Sequence, residues 1–276
     1  MKKHLILILL IGMTACNNAS QDEVKIISYN IRVSTVDDGA HHWNLRKAAS
    51  IRMINEEKPS AFGLQEAMPE QILYLEENLP NYQRAIAASN LHESSQHCSI
   101  FYDHKHYNLL QCHVRWFCPT PEYAVIGWDA AYLRTATLVQ LQEKRSRKTF
   151  WYINTHLDHM GQVARDSSVA LLCQWIDEIL SRDPKCPILL GGDMNTTLND
   201  PTLQPLIKRA KIPHKTTSDE NLNGTYHGWG TVQPALEIDL LFYQNAIPRS
   251  FERLDGDYGV PFISDHYPIA FTWSFK

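Results

Sequence analysis

Short apolar runs that end in a polar or charged residue recur along this chain, and they constrain its fold more than any other feature. Residues 188–192 (ILLGG) are followed by Asp193, and residues 152–155 (YINT) are followed by His156. Runs of this length with few polar interruptions predict strands that are buried on both faces. Helical patterns separate several of them, which favours an α/β architecture with functional groups at the strand ends.

Three segments have the apolar spacing of an amphipathic helix. The first covers residues 44–57 and ends before Pro59, the second begins at Pro69, and the third covers residues 164–180. Between residues 98 and 155 the pattern is mostly that of strands. This combination predicts mixed sheets rather than a purely parallel sheet.

The composition is that of a globular protein, with 44% hydrophobic and 20% charged residues. No repeat, low-complexity block or long Gly/Ser linker divides the 276 residues, so we expect one domain over residues 23–276. The formal net charge of −4 becomes more negative if Lys2 and Lys3 leave with a signal peptide. This charge disfavours a broadly basic nucleic-acid-binding protein but does not exclude a nuclease with locally placed charge.

The first residues have the pattern of a secretory signal. Lys2 and Lys3 precede an apolar run at 5–11 that is too short to span a bilayer. We therefore expect residues 1–15 to be a signal peptide. Cys16 follows Ala15 directly and resembles the bacterial lipoprotein box. The resemblance implies acylation at Cys16, a tether over residues 16–22, and a lipid anchor in the cell envelope, facing the periplasm or the cell surface; an ordinary cleaved signal is the alternative.

The remaining cysteines number five, so they cannot all pair within the chain. The sequence has no C-x-x-C pair, which disfavours a zinc ribbon. A disulfide between Cys112 and Cys118 is conceivable in the envelope. Buried free cysteines that pack as small apolar residues are the favoured interpretation.

Oxygen-bearing side chains and histidines stand at the predicted strand ends. Asn, Asp and Glu oxygens suit a hard cation such as Mg²⁺, and histidines beside them can move protons or stabilise phosphate oxygens. Several of these residues also have an ordinary structural explanation, since Glu66 can begin a helix and Asp193 can form an Asx turn. Asp239 is harder to explain in this way, because a carboxylate in the apolar segment 236–243 needs a partner.

Six short motifs in order resemble the endonuclease/exonuclease/phosphatase superfamily, the DNase I-like phosphoesterases. They span the chain after the signal segment and comprise 28–30 (SYN), 64–66 (LQE), 154–158 (NTHLD), 192–195 (GDMN), 238–239 (ID) and 264–266 (SDH). The resemblance implies a four-layer α/β/β/α sandwich of two mixed β-sheets flanked by helices. It also implies hydrolysis of a phosphodiester or phosphomonoester by activated water, with Mg²⁺ or Mn²⁺ as the cofactor.

The resemblance assigns metal-site roles to three of these residues. Glu66, with Asn30 and Asp265, is expected to hold or border the ion. Arg32 occupies a position at which some nucleases of the superfamily have an acid. This difference removes one potential ligand and favours one ion over two.

The resemblance assigns catalytic roles to five further residues. Asp239 is expected to orient His266, which acts as a general base or balances charge at the phosphate. Asp193 is expected to orient the attacking water or to act as the base. His156 and Asn195 are expected to donate hydrogen bonds to phosphate oxygens, where negative charge is present in the transition state.

A second group of residues, rich in Trp, Arg and His, resembles a bacterial subgroup of the superfamily. Arginine suits phosphate, and aromatic rings suit a sugar, a base or a headgroup. Burial in the core is the alternative explanation for several of them. The residues predicted to line the substrate pocket are Arg134, Asp158, His159 and His227.

Two classes of function follow from these motifs. The leading one is a membrane-anchored phosphoesterase acting on a small phosphorylated molecule, a phospholipid headgroup or a nucleic acid, with no obligate protein partner. The other is a catalytically silent scaffold of the same fold that binds a phosphorylated ligand or a partner protein. That alternative predicts at least one altered catalytic position, and none of the six motifs is altered. A serine hydrolase triad at residues 264–266 is excluded, because neighbours on an extended segment point to opposite faces.

Overall fold

A computed structural model describes residues 23–85, 98–217 and 224–276. Two mixed sheets pack face to face and carry helices on their outer faces, so the predicted four-layer α/β/β/α sandwich is confirmed. The predicted signal peptide, the tether and Cys16 lie outside the described residues and stay predictions. In the described ranges, no helix combines the length and the apolar character needed to cross a bilayer.

The first sheet has six strands, of which only one neighbouring pair is parallel. Its spatial order is β10 (Ala246–Arg253), β11 (Ile269–Phe275), β1 (Glu23–Asn30), β2 (Ala61–Gln65), β4 (Ile100–Asp103) and β3 (Tyr82–Arg84). Strands β1 and β2 run parallel, and every other neighbouring pair is antiparallel. The carboxyl ends of β1 and β2 therefore lie at the same edge of the sheet.

The second sheet keeps its five strands in chain order. They are β5 (Tyr107–Trp116), β6 (Thr135–Glu143), β7 (Thr149–His156), β8 (Ile188–Asp193) and β9 (Asp239–Gln244). Here β7 and β8 form the parallel pair. The long connection between them is α3 (Gln162–Arg182), which covers the outer face of this sheet.

Helices α1 (Trp43–Glu57) and α2 (Pro69–Asn78) cover the outer face of the first sheet, and the short α4 (Gln204–Ile207) lies beside α3. Helix α1 ends where Lys58 adopts a left-handed backbone, and Pro59 cannot extend it. The first helix begins one residue before the predicted range 44–57, and the third extends two residues beyond the predicted range 164–180 at each end.

Strand β8 shows why the apolar runs in the sequence have no polar interruptions. Leu189 packs between the two sheets, whereas Ile188 and Leu190 pack against α3. Both faces of the strand are therefore buried, as the sequence pattern predicts. The cysteines in the described ranges are free, and all except the half-buried Cys112 are buried.

Polar side chains join the two sheets just below one end of the sandwich. Nε2 of Gln65 donates to Oδ1 of Asn154 at 2.6 Å, and the Tyr152 hydroxyl donates to the Ile27 carbonyl at 3.0 Å. Gly63 allows this approach, since a Cβ there would lie 2.5 Å from the Tyr152 hydroxyl. These contacts fix β1 and β2 against β7, and two residues of the candidate site follow closely: Glu66 comes directly after Gln65, and His156 comes two residues after Asn154.

Candidate active site

The six motifs meet at one edge of the sandwich. Asn30 ends β1, His156 ends β7 and Asp193 ends β8, while Asp239 begins the antiparallel β9 opposite Asp193. Residues 264–266 precede β11, which runs antiparallel to β1 and starts at the same edge. His156, Asp193, Asp265 and His266 line a cleft of about 500 Å³, and Asn30 and Asp239 are buried beside it.

His266 and Asp239 form a buried hydrogen bond at this edge. Nδ1 of His266 lies 2.7 Å from Oδ2 of Asp239, and its Nε2 lies 3.9 Å from Oδ2 of Asp193. Burial opposes the charged imidazole, but the carboxylates of Asp239, Asp193 and Asp265 outweigh it and raise the pKa of His266 to about 10. The surrounding carboxylates therefore favour the protonated ring, whose Nε2 faces Asp193.

Asp193 is surrounded by groups from both sheets. Its Oδ1 accepts from the Asn195 main-chain N–H at 2.8 Å, and its Oδ2 accepts from Nδ2 of Asn30 at 3.0 Å. Burial, and then the neighbouring Asp239, raise the pKa of Asp193 above its usual range. A buried carboxylate with a raised pKa is a common property of groups that handle protons.

His156 and Asn195 lie on the other side of Asp193. Nδ2 of Asn195 lies 3.0 Å from Nε2 of His156 and donates to the Leu157 carbonyl at 2.9 Å. Burial and the charge of Arg134 lower the pKa of His156 well below its ordinary value. His156 is therefore neutral, with Nε2 accepting from the Asn195 amide.

Glu66 lines the same cleft and is half-buried. Its Oε1 accepts from Nδ2 of Asn30 at 3.2 Å, and its Oε2 accepts from the Val33 main-chain N–H at 2.9 Å. The same Asn30 amide bonds to Asp193, so a single side chain joins the acidic groups of the two sheets.

The donor groups at this edge fit a hard divalent cation. Ligand atoms of Glu66, His156 and Asp193 lie within 4.8 Å of one another, and those of Asp193, Asp239 and His266 form a second such group. Asp265 belongs to neither group, and its Oδ2 lies 3.6 Å from Nη1 of Arg32. Crowded, largely buried carboxylates leave negative charge that a cation would compensate.

Residues 27–266 match the model of the Endonuclease/Exonuclease/phosphatase family, which is most of the chain. The chain belongs to this family. Members of the family are divalent-metal-dependent hydrolases that act on phosphate esters.

Relatives and solved structures share the fold over nearly the whole chain. Uncharacterized protein L388 of Acanthamoeba polyphaga mimivirus is 27% identical in an alignment 273 residues long that covers 90% of this chain and 98% of that protein. An endonuclease/exonuclease/phosphatase from Bacteroides vulgatus is 24% identical, covers 93% of this chain and 100% of its own, and has a TM-score of 0.85. The mannosyl-6-phosphatase of Bacteroides thetaiotaomicron is 23% identical, covers 91% and 100%, and has a TM-score of 0.83.

Beside the family's motif residues, Arg134 forms the end wall of the cleft with Tyr132 and His159. Nε of Arg134 donates to Oδ2 of Asp158 at 3.2 Å, and its Nη2 lies 3.2 Å from Nδ1 of His159. The Tyr132 ring stacks on His159 at 5.6 Å. This wall combines one guanidinium with an exposed aromatic surface.

Asp158 lies behind this wall rather than on it. Burial disfavours its ionisation, but main-chain N–H groups of Gly161, Ala131 and Met160, together with Arg134, lower its pKa to about 2. Both carboxylate oxygens are occupied by these donors. Asp158 therefore orients Arg134 and fixes the preceding loop.

His227 is also set back from the cleft. It is 2% exposed and packs against Phe262 and Tyr267. Nδ1 accepts from the Gly230 main-chain N–H at 3.1 Å, and Nε2 has no hydrogen-bond partner among the described residues. Burial and the charge of His266 lower its pKa to about 4, so His227 is neutral.

Several residues that line the cleft are not among the site residues predicted one by one from the sequence. Tyr132 and Tyr226 line the cleft, as do Val36 and Leu236. The Tyr226 ring lies 4.8 Å from the His266 ring. Tyr226 belongs to the aromatic segment 224–229, which was a usable signal, whereas Tyr132 lies in an irregular segment without a pattern.

Proposed function

We propose that this protein is a phosphoesterase that uses one Mg²⁺ or Mn²⁺ ion and hydrolyses a phosphate ester with activated water. The observation that carries the proposal is the buried hydrogen bond between His266 and Asp239, at 2.7 Å, directed at the carboxylate of Asp193. Glu66 lies in the same cleft and is joined to Asp193 through Asn30.

In this proposal the ion is held by Glu66, with Asn30 and Asp265 at its border. A bound divalent cation supplies Lewis acidity that polarises a phosphoryl oxygen and favours ionisation of water. Oδ1 of Asn30 already accepts from the Arg32 main-chain N–H at 3.1 Å, so the orientation of this amide is set before a ligand binds.

The remaining residues of the proposed mechanism manage charge and protons. Asp193 orients the attacking water through its buried carboxylate, and Nε2 of the His266 cation balances charge at the phosphate. In this proposal the Asn195 amide transfers its hydrogen bond from Nε2 of His156 to a phosphate oxygen, and His156 donates to a second phosphate oxygen as the tautomer that carries its proton on Nε2. Because these donors are already in position, little reorganisation accompanies the reaction.

The substrate is proposed to be a small phosphorylated molecule. The named activity of the Bacteroides thetaiotaomicron structure, a mannosyl-6-phosphatase, makes phosphorylated sugars the first compounds to test. The net charge of −4 counts against long nucleic acids. The stacked Tyr132 and His159 rings offer a surface for a sugar or a base beside Arg134.

A panel of phosphate esters tests the proposal. Sugar phosphates, a glycerophosphodiester, a nucleoside monophosphate and short DNA are incubated with Mg²⁺, Mn²⁺ or EDTA. We expect hydrolysis of at least one ester with either metal and none with EDTA. Hydrolysis that persists in excess EDTA would contradict the metal dependence, and inactivity of the folded protein on every ester would favour the silent scaffold.

The lipid anchor is a separate proposal that rests on Cys16. In a bacterial host, the full chain should partition with membranes, and Cys16→Ser should stay in the aqueous phase because the acylated thiol is lost. Asn18→Ser, in the same tether, serves as the matched control and should partition like the unchanged chain. Detergent phase separation measures the difference; membrane association of the Cys16→Ser variant would contradict the anchor.

A further inference from the structure

Arg32, two residues beyond the end of β1, has a backbone φ of 59°, a left-handed conformation that non-glycine residues rarely adopt. Three hydrogen bonds hold it there. Its N–H donates to Oδ1 of Asn30 at 3.1 Å, and its carbonyl accepts from Gln71 at 2.9 Å and from Arg46 at 3.0 Å. Strained residues that the surroundings fix in this way are concentrated at functional sites.

The group that holds the Arg32 carbonyl is itself anchored in the core. Arg46 is 1% exposed, and its guanidinium also donates to the carbonyls of Ile31 at 2.6 Å and Ile263 at 3.0 Å. The rings of Trp43 and Trp229 lie 5.2 and 5.5 Å from it. The turn that carries Arg32 is thereby joined to the segment that precedes Asp265 and His266.

The side chain of Arg32 is clamped on one edge only. Asp38 accepts from Nε and from Nη2, both at 3.0 Å. Nη1 lies 3.6 Å from Oδ2 of Asp265, and it makes no hydrogen bond to any residue in the described ranges. Arg32 lines the cleft with its side chain 25% exposed. Its second edge makes only this long ion pair to Asp265, so the guanidinium is oriented and can still donate a hydrogen bond to an anion.

We infer that Nη1 of Arg32 binds a terminal oxygen of the substrate phosphate and makes the cleft selective for phosphomonoesters over phosphodiesters. This inference rests on the proposed phosphoesterase function. A monoester has three non-bridging oxygens and a charge of about −1.5 to −2 near pH 7. A diester has two such oxygens and carries an organic group in place of the third.

Charge explains why this position affects the choice between the two esters. An acid here would add negative charge beside Asp265 and Glu66, whereas Arg32 adds a cation. The second negative charge of a monoester is stabilised by this cation, and the second organic group of a diester gains nothing from it. Arg134 also lines the cleft, but its guanidinium is more buried and is bonded to Asp158 and His159, so Arg32 is the more accessible of the two cations.

The alternative role of Arg32 is to neutralise the negative charges of Asp38 and Asp265. In that case the residue only maintains the shape of the acidic site, and its loss affects both esters by the same factor. The ratio of the two kcat/KM values therefore separates substrate contact from structural support, which a single activity measurement cannot do.

The test compares 4-nitrophenyl phosphate with bis(4-nitrophenyl) phosphate at pH 8 and saturating Mn²⁺. In Arg32→Gln, the kcat/KM ratio of monoester to diester should fall by about ten- to a hundredfold, the usual effect of losing a hydrogen bond to a charged group. Arg32→Lys should lie between that variant and the unchanged enzyme. Arg115→Gln is the matched control, since Arg115 is also half-buried and paired with a carboxylate, Glu178, away from the cleft.

Binding of inorganic phosphate provides a second readout in the same proteins. Phosphate should inhibit the unchanged enzyme and raise its melting temperature, and both effects should weaken by a similar factor in Arg32→Gln. An unchanged ester ratio, or a faster diester reaction in the unchanged enzyme, would overturn the inference. If neither ester is hydrolysed with Mg²⁺ or Mn²⁺, the phosphoesterase proposal fails, whatever the role of Arg32. Phosphate binding then tests Arg32 alone: if phosphate raises the melting temperature of Arg32→Gln as much as that of the unchanged protein, Arg32 does not bind phosphate.

Discussion

Replacing His266 with alanine should reduce turnover by about 10²- to 10³-fold, the range associated with losing one preorganised group that stabilises transition-state charge. The ring is buried, and its Nε2 faces Asp193 at 3.9 Å. Nε2 of His156 lies 3.5 Å from the same carboxylate, but burial and Arg134 lower the pKa of His156, so it does not supply the charge that His266 supplies. Asp239→Asn should lower turnover by a similar factor. An amide at this position cannot supply the charge that stabilises the imidazolium, and it can turn its N–H₂ group toward Nδ1.

The two losses should not add, because the residues act through one hydrogen bond. A double-mutant cycle on turnover measures this, with Mn²⁺ titrations of each variant. His106→Ala is the matched control, since His106 bonds to Asp103 at 2.6 Å on the exposed surface. Its turnover should be unchanged. Additive losses would mean that His266 and Asp239 work separately, and a large loss of metal affinity in His266→Ala would make this residue a ligand.

The layer structure was predictable because it depends on short-range patterns. Continuous apolar residues such as 188–190 predict a strand that is buried on both faces. The amphipathic segment that forms α3 predicts a helix that packs on one of these faces. Strand limits were less accurate. The apolar segment 236–243 has the sequence pattern of one strand, but β9 begins at Asp239, because Leu236 instead pairs with Tyr226 outside the sheet.

The order of the motifs predicts which residues come together at the site, but it does not predict which side chains line the cleft and which are buried behind it. Asp158 and His159 are neighbours in sequence, yet His159 lines the cleft and Asp158 lies behind it. The difference comes from main-chain donors at residues 131 and 161, which no local pattern reveals. Arg32 is a similar case, since its conformation depends on Gln71 and Arg46 from two different helices.

Glu66→Gln should leave the protein folded and lower turnover by about 10³-fold or more, because a metal ion typically contributes several kcal/mol to transition-state stabilisation. Glutamine matches the shape of Glu66 but removes its charge. It also has one acceptor oxygen where Glu66 accepts separately from Asn30 and Val33, so one of these bonds is lost. That change costs about 1 kcal/mol of stability, which a domain of this size tolerates.

Calorimetric titration with Mn²⁺ distinguishes loss of the ion from loss of the fold. The unchanged protein should bind close to one equivalent, and Glu66→Gln should bind much more weakly while keeping its circular dichroism spectrum. Glu57→Gln is the matched control: Glu57 is half-buried and bonded to Lys25 near the opposite end of β1, so its metal affinity and turnover should be unchanged. Wild-type Mn²⁺ affinity in Glu66→Gln would remove Glu66 from the metal site. In that case Asp193 would be the carboxylate to test next, because it belongs to both groups of potential ligands. One group contains Glu66 and His156, and the other contains Asp239 and His266.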